Sequence, residues 1–76
     1  MEIELLTADG CGLCDQARAM VERVAPGVTL TPVDIAADEA LIQQWGERIP
    51  VLRHGERTLE WPFTLLDVDA FFREIS

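Results

Sequence analysis

The sequence predicts an α/β domain built as a βαβ unit followed by αββα, and three observations carry that expectation. Apolar runs of strand length alternate with stretches of helical periodicity. A Cys11-Gly12-Leu13-Cys14 motif stands where the first strand gives way to the first helix, and a four-member apolar stripe closes the chain.

The 76 residues leave room for one domain, 1–76, because a chain this short buries only about 60% of the surface its unfolded form exposes. With 49% hydrophobic and 26% charged residues the composition is that of a globular protein, without repeat, linker or biased tract.

The elements follow in order. Ile3 to Thr7 is an apolar run stopped by Ala8-Asp9-Gly10, a strand leading into a turn. Leu13, Ala17, Met20, Val21 and Val24 then recur at helical spacing, so a helix begins near Cys11 and ends at Ala25-Pro26-Gly27. Val28 to Val33 reads as a second strand, and Pro32, which has no N–H for a ladder, puts it at a sheet edge. Asp38 can cap a second helix whose Leu41, Ile42 and Trp45 lie together, and Gly46 is available for a left-handed turn at its end. Val51 to Arg53 and Thr58 to Trp61 are short strands joined through His54-Gly55-Glu56-Arg57, an antiparallel hairpin. Thr64 with Asp67 forms a capping-box pattern before Val68, Phe71, Phe72 and Ile75, which occupy one face of a closing helix.

Charge narrows the partners. Fourteen acidic and six basic residues, all of the latter arginine, give a net charge of −8. Nucleic acid and anionic membrane both require a basic face, so neither is expected, whereas neutral or basic partners are compatible. Met1-Glu2-Ile3-Glu4 lacks the positive start and apolar core of a signal peptide, and no apolar run reaches the ~20 residues of a membrane span. A cytoplasmic monomer is the resulting expectation.

Two cysteines three positions apart close too small a loop to staple a secreted fold, and beside a βαβ pattern they point to redox chemistry. Only a thiolate attacks a disulfide, and the first turn of a helix favours that anion through its unpaired N–H groups and macrodipole. Cys11 is therefore the candidate nucleophile, and Cys14, one turn on, the thiol that resolves the mixed disulfide. The pair would alternatively supply half of a tetrahedral metal site, which normally takes four ligands, so that the rest would have to come from His54, carboxylates or a second subunit. A purely structural pair is the third alternative.

With these residues in view the chain resembles a glutaredoxin-like member of the thioredoxin superfamily, over nearly its whole length. The Cys11-Gly12-Leu13-Cys14 motif opening the first helix and Ile49-Pro50-Val51 before the third strand carry the resemblance. It implies a thioredoxin-like fold of order β-α-β-α-β-β-α, with a four-stranded mixed sheet flanked by helices. It also implies a cis Pro50 facing the cysteines and a backbone contact from Ile49 to bound peptide or glutathione. The other prolines carry no such signal.

The chain departs from the family pattern in three segments. Gly12-Leu13 stands where glutaredoxins usually have an aromatic and thioredoxins Gly-Pro. Ala8-Asp9-Gly10 and Glu60-Trp61-Pro62-Phe63 occupy the regions that hold the carboxylates of glutathione in glutaredoxins, and neither clamp is recognisable. Arg48, two residues before Pro50, and Arg18, one turn after Cys14, are the nearest basic replacements. Asp9 and Asp15 flank the motif and oppose the helix terminus in their effect on a thiolate. Trp61 and Phe63 read either as an apolar docking patch with Pro62 or as anchors for the last helix. Trp45 reads as core, and His54 as an exposed turn residue.

The expected activity is thiol–disulfide oxidoreduction through Cys11 and Cys14, with Ile49, Pro50, Arg48 and Trp61 contacting substrate and no bound cofactor. Glutathione or a reductase would donate electrons, and a small or protein disulfide would accept them. The rival classes are a metal or iron–sulfur carrier using the pair across a dimer, and a non-catalytic thioredoxin-fold binding module.

Overall fold

Alternation along β1 explains why both faces of the sheet are covered. In a strand, successive side chains point to opposite sides, and here Ile3 and Leu5 join one core cluster while Leu6 joins another. The computed structural model describes residues 1–75, in the order β1 (Glu2–Thr7), α1 (Gly12–Val24), β2 (Thr29–Asp34), a 3₁₀ turn (Ile35–Ala37), α2 (Glu39–Trp45), β3 (Val51–His54), β4 (Arg57–Glu60) and α3 (Leu65–Ile75). The sheet order is β2-β1-β3-β4. β1 and β2 are parallel, while β3 runs antiparallel to both β1 and β4. This is the mixed four-stranded sheet of the thioredoxin-like fold.

The first cluster packs Ile3, Leu5 and Leu52 against Ala17 and Val21 of α1, Val68, Phe71 and Phe72 of α3, and Phe63. The second packs Leu6 and Val51 against Ile35 and Trp45, with Ala8 and Ile49 at its margin. Helices α1 and α3 thus cover one face and α2 the other. Burying an aromatic or branched side chain stabilises by about 1.5–3 kcal/mol, so the three phenylalanines and the central strand residues carry much of the driving force.

Register places the functional end. Leu6 lies opposite Val51, Val51 opposite Glu60, and Thr7 beside Asp34. The end of β1, the start of β3 and the end of β4 therefore share one end of the sheet, and α1 and α3 both begin there. The Arg57–Glu74 ion pair, 2.8 Å, brings the hairpin turn and the end of α3 together at the other end.

Several expectations need adjusting. Leu13 is 43% exposed, and Cys14 takes its place with Ala17 and Val21 on the buried stripe of α1. Ile42 is also exposed, since Trp45 turns α2 inward through a different face. Gly46 is right-handed, φ −51°, not left-handed. The position is sterically tight all the same, because a Cβ would stand 2.5 Å from the Ile42 carbonyl oxygen. β2 and β4 are shifted by a residue, to Thr29–Asp34 and Arg57–Glu60. His54 is the half-buried last residue of β3, paired with Arg57, because Gly55 at φ 61° allows a tighter two-residue turn. The edge position of β2 and the capping box of α3 match expectation. Thr64 N–H donates to Asp67 Oδ2 at 2.8 Å, and Asp67 N–H to Thr64 Oγ1 at 3.2 Å.

Candidate active site: the Cys11–Cys14 pair

The turn after β1 sets the first cysteine at the head of α1. Gly10 takes φ 78°, a conformation glycine adopts without a Cβ penalty, and the Cys11 N–H donates to the Ala8 carbonyl. Cys11 is then extended and caps α1, its Sγ accepting from the Cys14 N–H at 3.1 Å. A cap is usually an oxygen acceptor such as Ser or Asp. Here sulfur fills that position, so one first-turn N–H, that of Cys14, is aimed at the atom that would carry thiolate charge.

The two sulfurs are joined as a disulfide, with Cα atoms 5.3 Å apart. The cysteines are not equivalent. Cys11 is half-buried at the helix tip, whereas Cys14 is only 4% exposed, on the inner face of α1. A disulfide partner arriving from solvent reaches Cys11 first.

Two proline segments stand at the same end of the sheet. Ile49–Pro50 is cis, as the resemblance implies, and Pro50 is fully buried immediately before β3. Trp61–Pro62 is also cis, which the sequence reading did not single out. The available signal was the aromatic residue before the proline, because cis populations depend on that neighbour. Trp61 N–H donates to the Pro50 carbonyl at 3.1 Å, carrying the β3–β4 ladder one step further and laying the two segments side by side. Ile49 precedes β3 and stays outside its pairing with β1, which begins at Val51.

The remaining candidates separate by environment. Arg48 lies over the Trp45 ring at 5.8 Å and donates from Nη1 to Glu60 Oε1 at 3.0 Å. It is thus beside Ile49–Pro50 but already faces a carboxylate, a partner that spacing along one strand could not have revealed. Arg18 is half-buried further along α1. Trp61 is half-buried and meets Phe63 edge-on, ring centroids 4.9 Å apart, while Phe63 is core. The anchoring role therefore holds for Phe63 and for part of Trp61. Trp45 is core, and its buried Nε1 has no hydrogen-bond acceptor. Asp9 and Asp15 are both exposed. His54, on β3 at the hairpin end, lies away from the cysteines. Among the described residues, no three His, Cys, Asp or Glu side chains come together to hold a metal ion. No helix among them is long and apolar enough to cross a membrane.

Fold and site together define a thioredoxin-fold protein bearing a paired CxxC. Residues 2–76 match the family described as Glutaredoxin-like domain (DUF836), and the chain belongs to that family. It is similar to the X-ray structure of Northeast Structural Genomics target protein XcR50 from X. campestris, with 36% identity, TM-score 0.85, and 95% of this chain and 96% of that one covered. The solution structure of the same target superposes with TM-score 0.84 at 36% identity, covering 97% and 95%. A structure described as that of a malarial protein shares the fold, at 14% identity and TM-score 0.56, covering 96% and 93%. No curated protein matches the chain in sequence.

Proposed function

We propose that this chain is a thiol–disulfide oxidoreductase in which Cys11 attacks and Cys14 resolves. One observation carries the reading: Cys11 Sγ caps α1 and receives the Cys14 N–H, and Cys11 is the half-buried, more accessible member of a pair whose second member is buried. The helix terminus favours the thiolate over the thiol, and accessibility lets it meet substrate.

The cycle starts from the dithiol. The Cys11 thiolate attacks one sulfur of the substrate disulfide, forms a mixed disulfide and expels the other sulfur as a thiolate. Cys14 gives up its proton and attacks the Cys11 sulfur, breaking the mixed disulfide and releasing the second substrate thiolate. Protons neutralise both products, and the two electrons lost by the cysteine pair leave the oxidised state seen here. Ile49 would offer its backbone to the substrate beside Pro50, with Arg48 and Trp61 at the margin. Glutathione or a dithiol reductase would return the electrons, and no bound cofactor is needed for exchange between sulfurs.

The test is turnover of 2-hydroxyethyl disulfide coupled to a reductant. Cys11→Ser should abolish it, and Cys14→Ser should accumulate a mixed disulfide on Cys11, visible as an added mass that dithiothreitol removes. Activity that survives Cys11→Ser would refute the assignment. Metal or visible absorption retained stoichiometrically after anaerobic purification would favour the carrier reading instead.

A further inference from the structure

The surroundings of the cysteine pair carry an electrostatic asymmetry that bears on which disulfides it accepts. Segments 8–15, 47–50 and 60–67 adjoin the strand ends that share the site end of the sheet. They contain Asp9, Asp15, Glu47, Glu60 and Asp67 against Arg48 alone. All five carboxylates belong to exposed residues. At the opposite end the start of β1, the last residues of α1, the hairpin turn and the end of α3 hold Arg23, Arg57 and Arg73 against Glu2, Glu22, Glu56 and Glu74, an excess of a single carboxylate. The acid excess of the chain is thus weighted toward the end of the sheet at which α1 and its cysteines begin.

The second observation is independent of that count. Arg48, the cation adjoining Ile49–Pro50, is neutralised within the protein by Glu60 at 3.0 Å and rests on the Trp45 ring. An incoming carboxylate would have to displace Glu60 and enter a region of negative potential. Arg18 lies seven residues beyond Cys11, roughly 10 Å further along the helix at 1.5 Å per residue. That is about a Debye length at physiological salt, too far to compensate fully.

We propose that the Cys11–Cys14 site selects disulfides flanked by cationic groups and disfavours those bearing carboxylates, with Glu60 acting as the internal carboxylate that occupies Arg48. The inference rests on dithiol exchange at this pair. The selected substrate is reduced to two thiols as the pair forms its disulfide, so one reduced protein supplies both electrons. Glutathione disulfide, which is net anionic, falls on the disfavoured side, and electrons then return from a dithiol reductase.

The experiment uses the full chain, reduced and freed of reductant, in anaerobic single turnovers with four probes: cystamine, uncharged 2-hydroxyethyl disulfide, 3,3′-dithiodipropionate and a cystine peptide with lysine flanks. Intrinsic reactivity cancels when each probe is compared with itself at low and high sodium chloride. Steering of this kind changes association rates by about tenfold or more and is screened by salt. Added salt should therefore slow cystamine and the lysine peptide at least about threefold, speed dithiodipropionate and leave the neutral probe unchanged. With each rate divided by that probe's rate toward free dithiothreitol, faster reaction of the peptide than of cystamine identifies a polypeptide as the source of the cationic disulfide, and equal quotients identify charge alone as the selected feature.

Glu60→Gln should raise the dithiodipropionate rate, divided by the same variant's neutral rate, at least about threefold, and Asp9→Asn should raise it less. Salt responses that do not follow probe charge, or an unchanged ratio in Glu60→Gln, would overturn the selection. Failure to oxidise the pair even with 2-hydroxyethyl disulfide would instead overturn the oxidoreductase reading, and the selection with it.

Discussion

Single residues decide more here than composition suggests. Cys11 is at once the helix cap and the proposed nucleophile, so its replacement by serine leaves an acceptable cap while removing the chemistry. Loss of activity in Cys11→Ser can for that reason be read as chemistry and not as unfolding. Gly46 shows the opposite case, a residue whose role is only steric. Its backbone is right-handed, yet a Cβ would meet the Ile42 carbonyl oxygen at 2.5 Å. Alanine gains about 1 kcal/mol in helix propensity over glycine, but overpacking costs about 1–3 kcal/mol. Gly46→Ala should therefore be neutral to destabilising by about 2 kcal/mol, as read from the urea midpoint. A clearly raised midpoint would show that the loop before Arg48 relaxes freely. The cysteine motif and Pro50 were legible because their chemistry is written in consecutive residues. The Arg48–Glu60 pair was not, because it joins positions twelve apart that only the β3–β4 register brings together.

Among the elements, the pairing of β1 with β3 carries the clearest electrostatic signature. Arg53 Nε donates to Glu4 Oε1 at 2.8 Å between opposed residues. That hydrogen bond holds the Glu4 carboxyl below its usual value of 4.5, against the opposing effect of burial, and raises Arg53 in turn. A carboxyl lowered in the folded state contributes stability above its unfolded pKa and loses it as pH falls through the folded one. Glu4→Gln should thus lower the melting temperature near neutrality, and the gap from wild type should close as pH drops from about 6 to about 3. The side chain is 43% exposed, so solvent screening keeps the contribution below about 1 kcal/mol. Thermal melts across that range check it, and a gap that widens in acid would contradict it. At this scale the sequence was informative where periodicity was strong. The α3 stripe and its capping box stand as expected, since side-chain spacing and cap chemistry agree. The seven-residue α2 was read less well. Three apolar residues within five positions leave its inner face undetermined, and packing of Trp45 against Leu6 and Val51 made the choice.

For the molecule as a whole, two cores on opposite faces of one sheet carry the fold, and the disulfide contributes little to it. Linking residues three apart removes roughly 2 kcal/mol of chain entropy from the unfolded state. Reduction should therefore leave a folded protein with a modestly lower denaturation midpoint, as the proposed exchange cycle would require. Far-UV circular dichroism with and without dithiothreitol measures this, and unfolding on reduction would show a structural staple instead. The overall topology was legible because strand and helix periods alternate in the order the fold uses. The weighting of charge toward the end of the sheet at which α1 begins was not, because it emerges only when segments distant in sequence adjoin that end. One feature of the sheet bears on how the protein survives at high concentration. An open sheet has two rims that can recruit a strand from another chain, the usual beginning of domain swapping and fibrils. β2 forms one rim and carries Pro32, which has no N–H to lend to a newcomer. β4 forms the other and is four residues long with a charge at each end. Both rims are poor templates for aggregation, and Pro32→Val would be the single change to make one of them a good one.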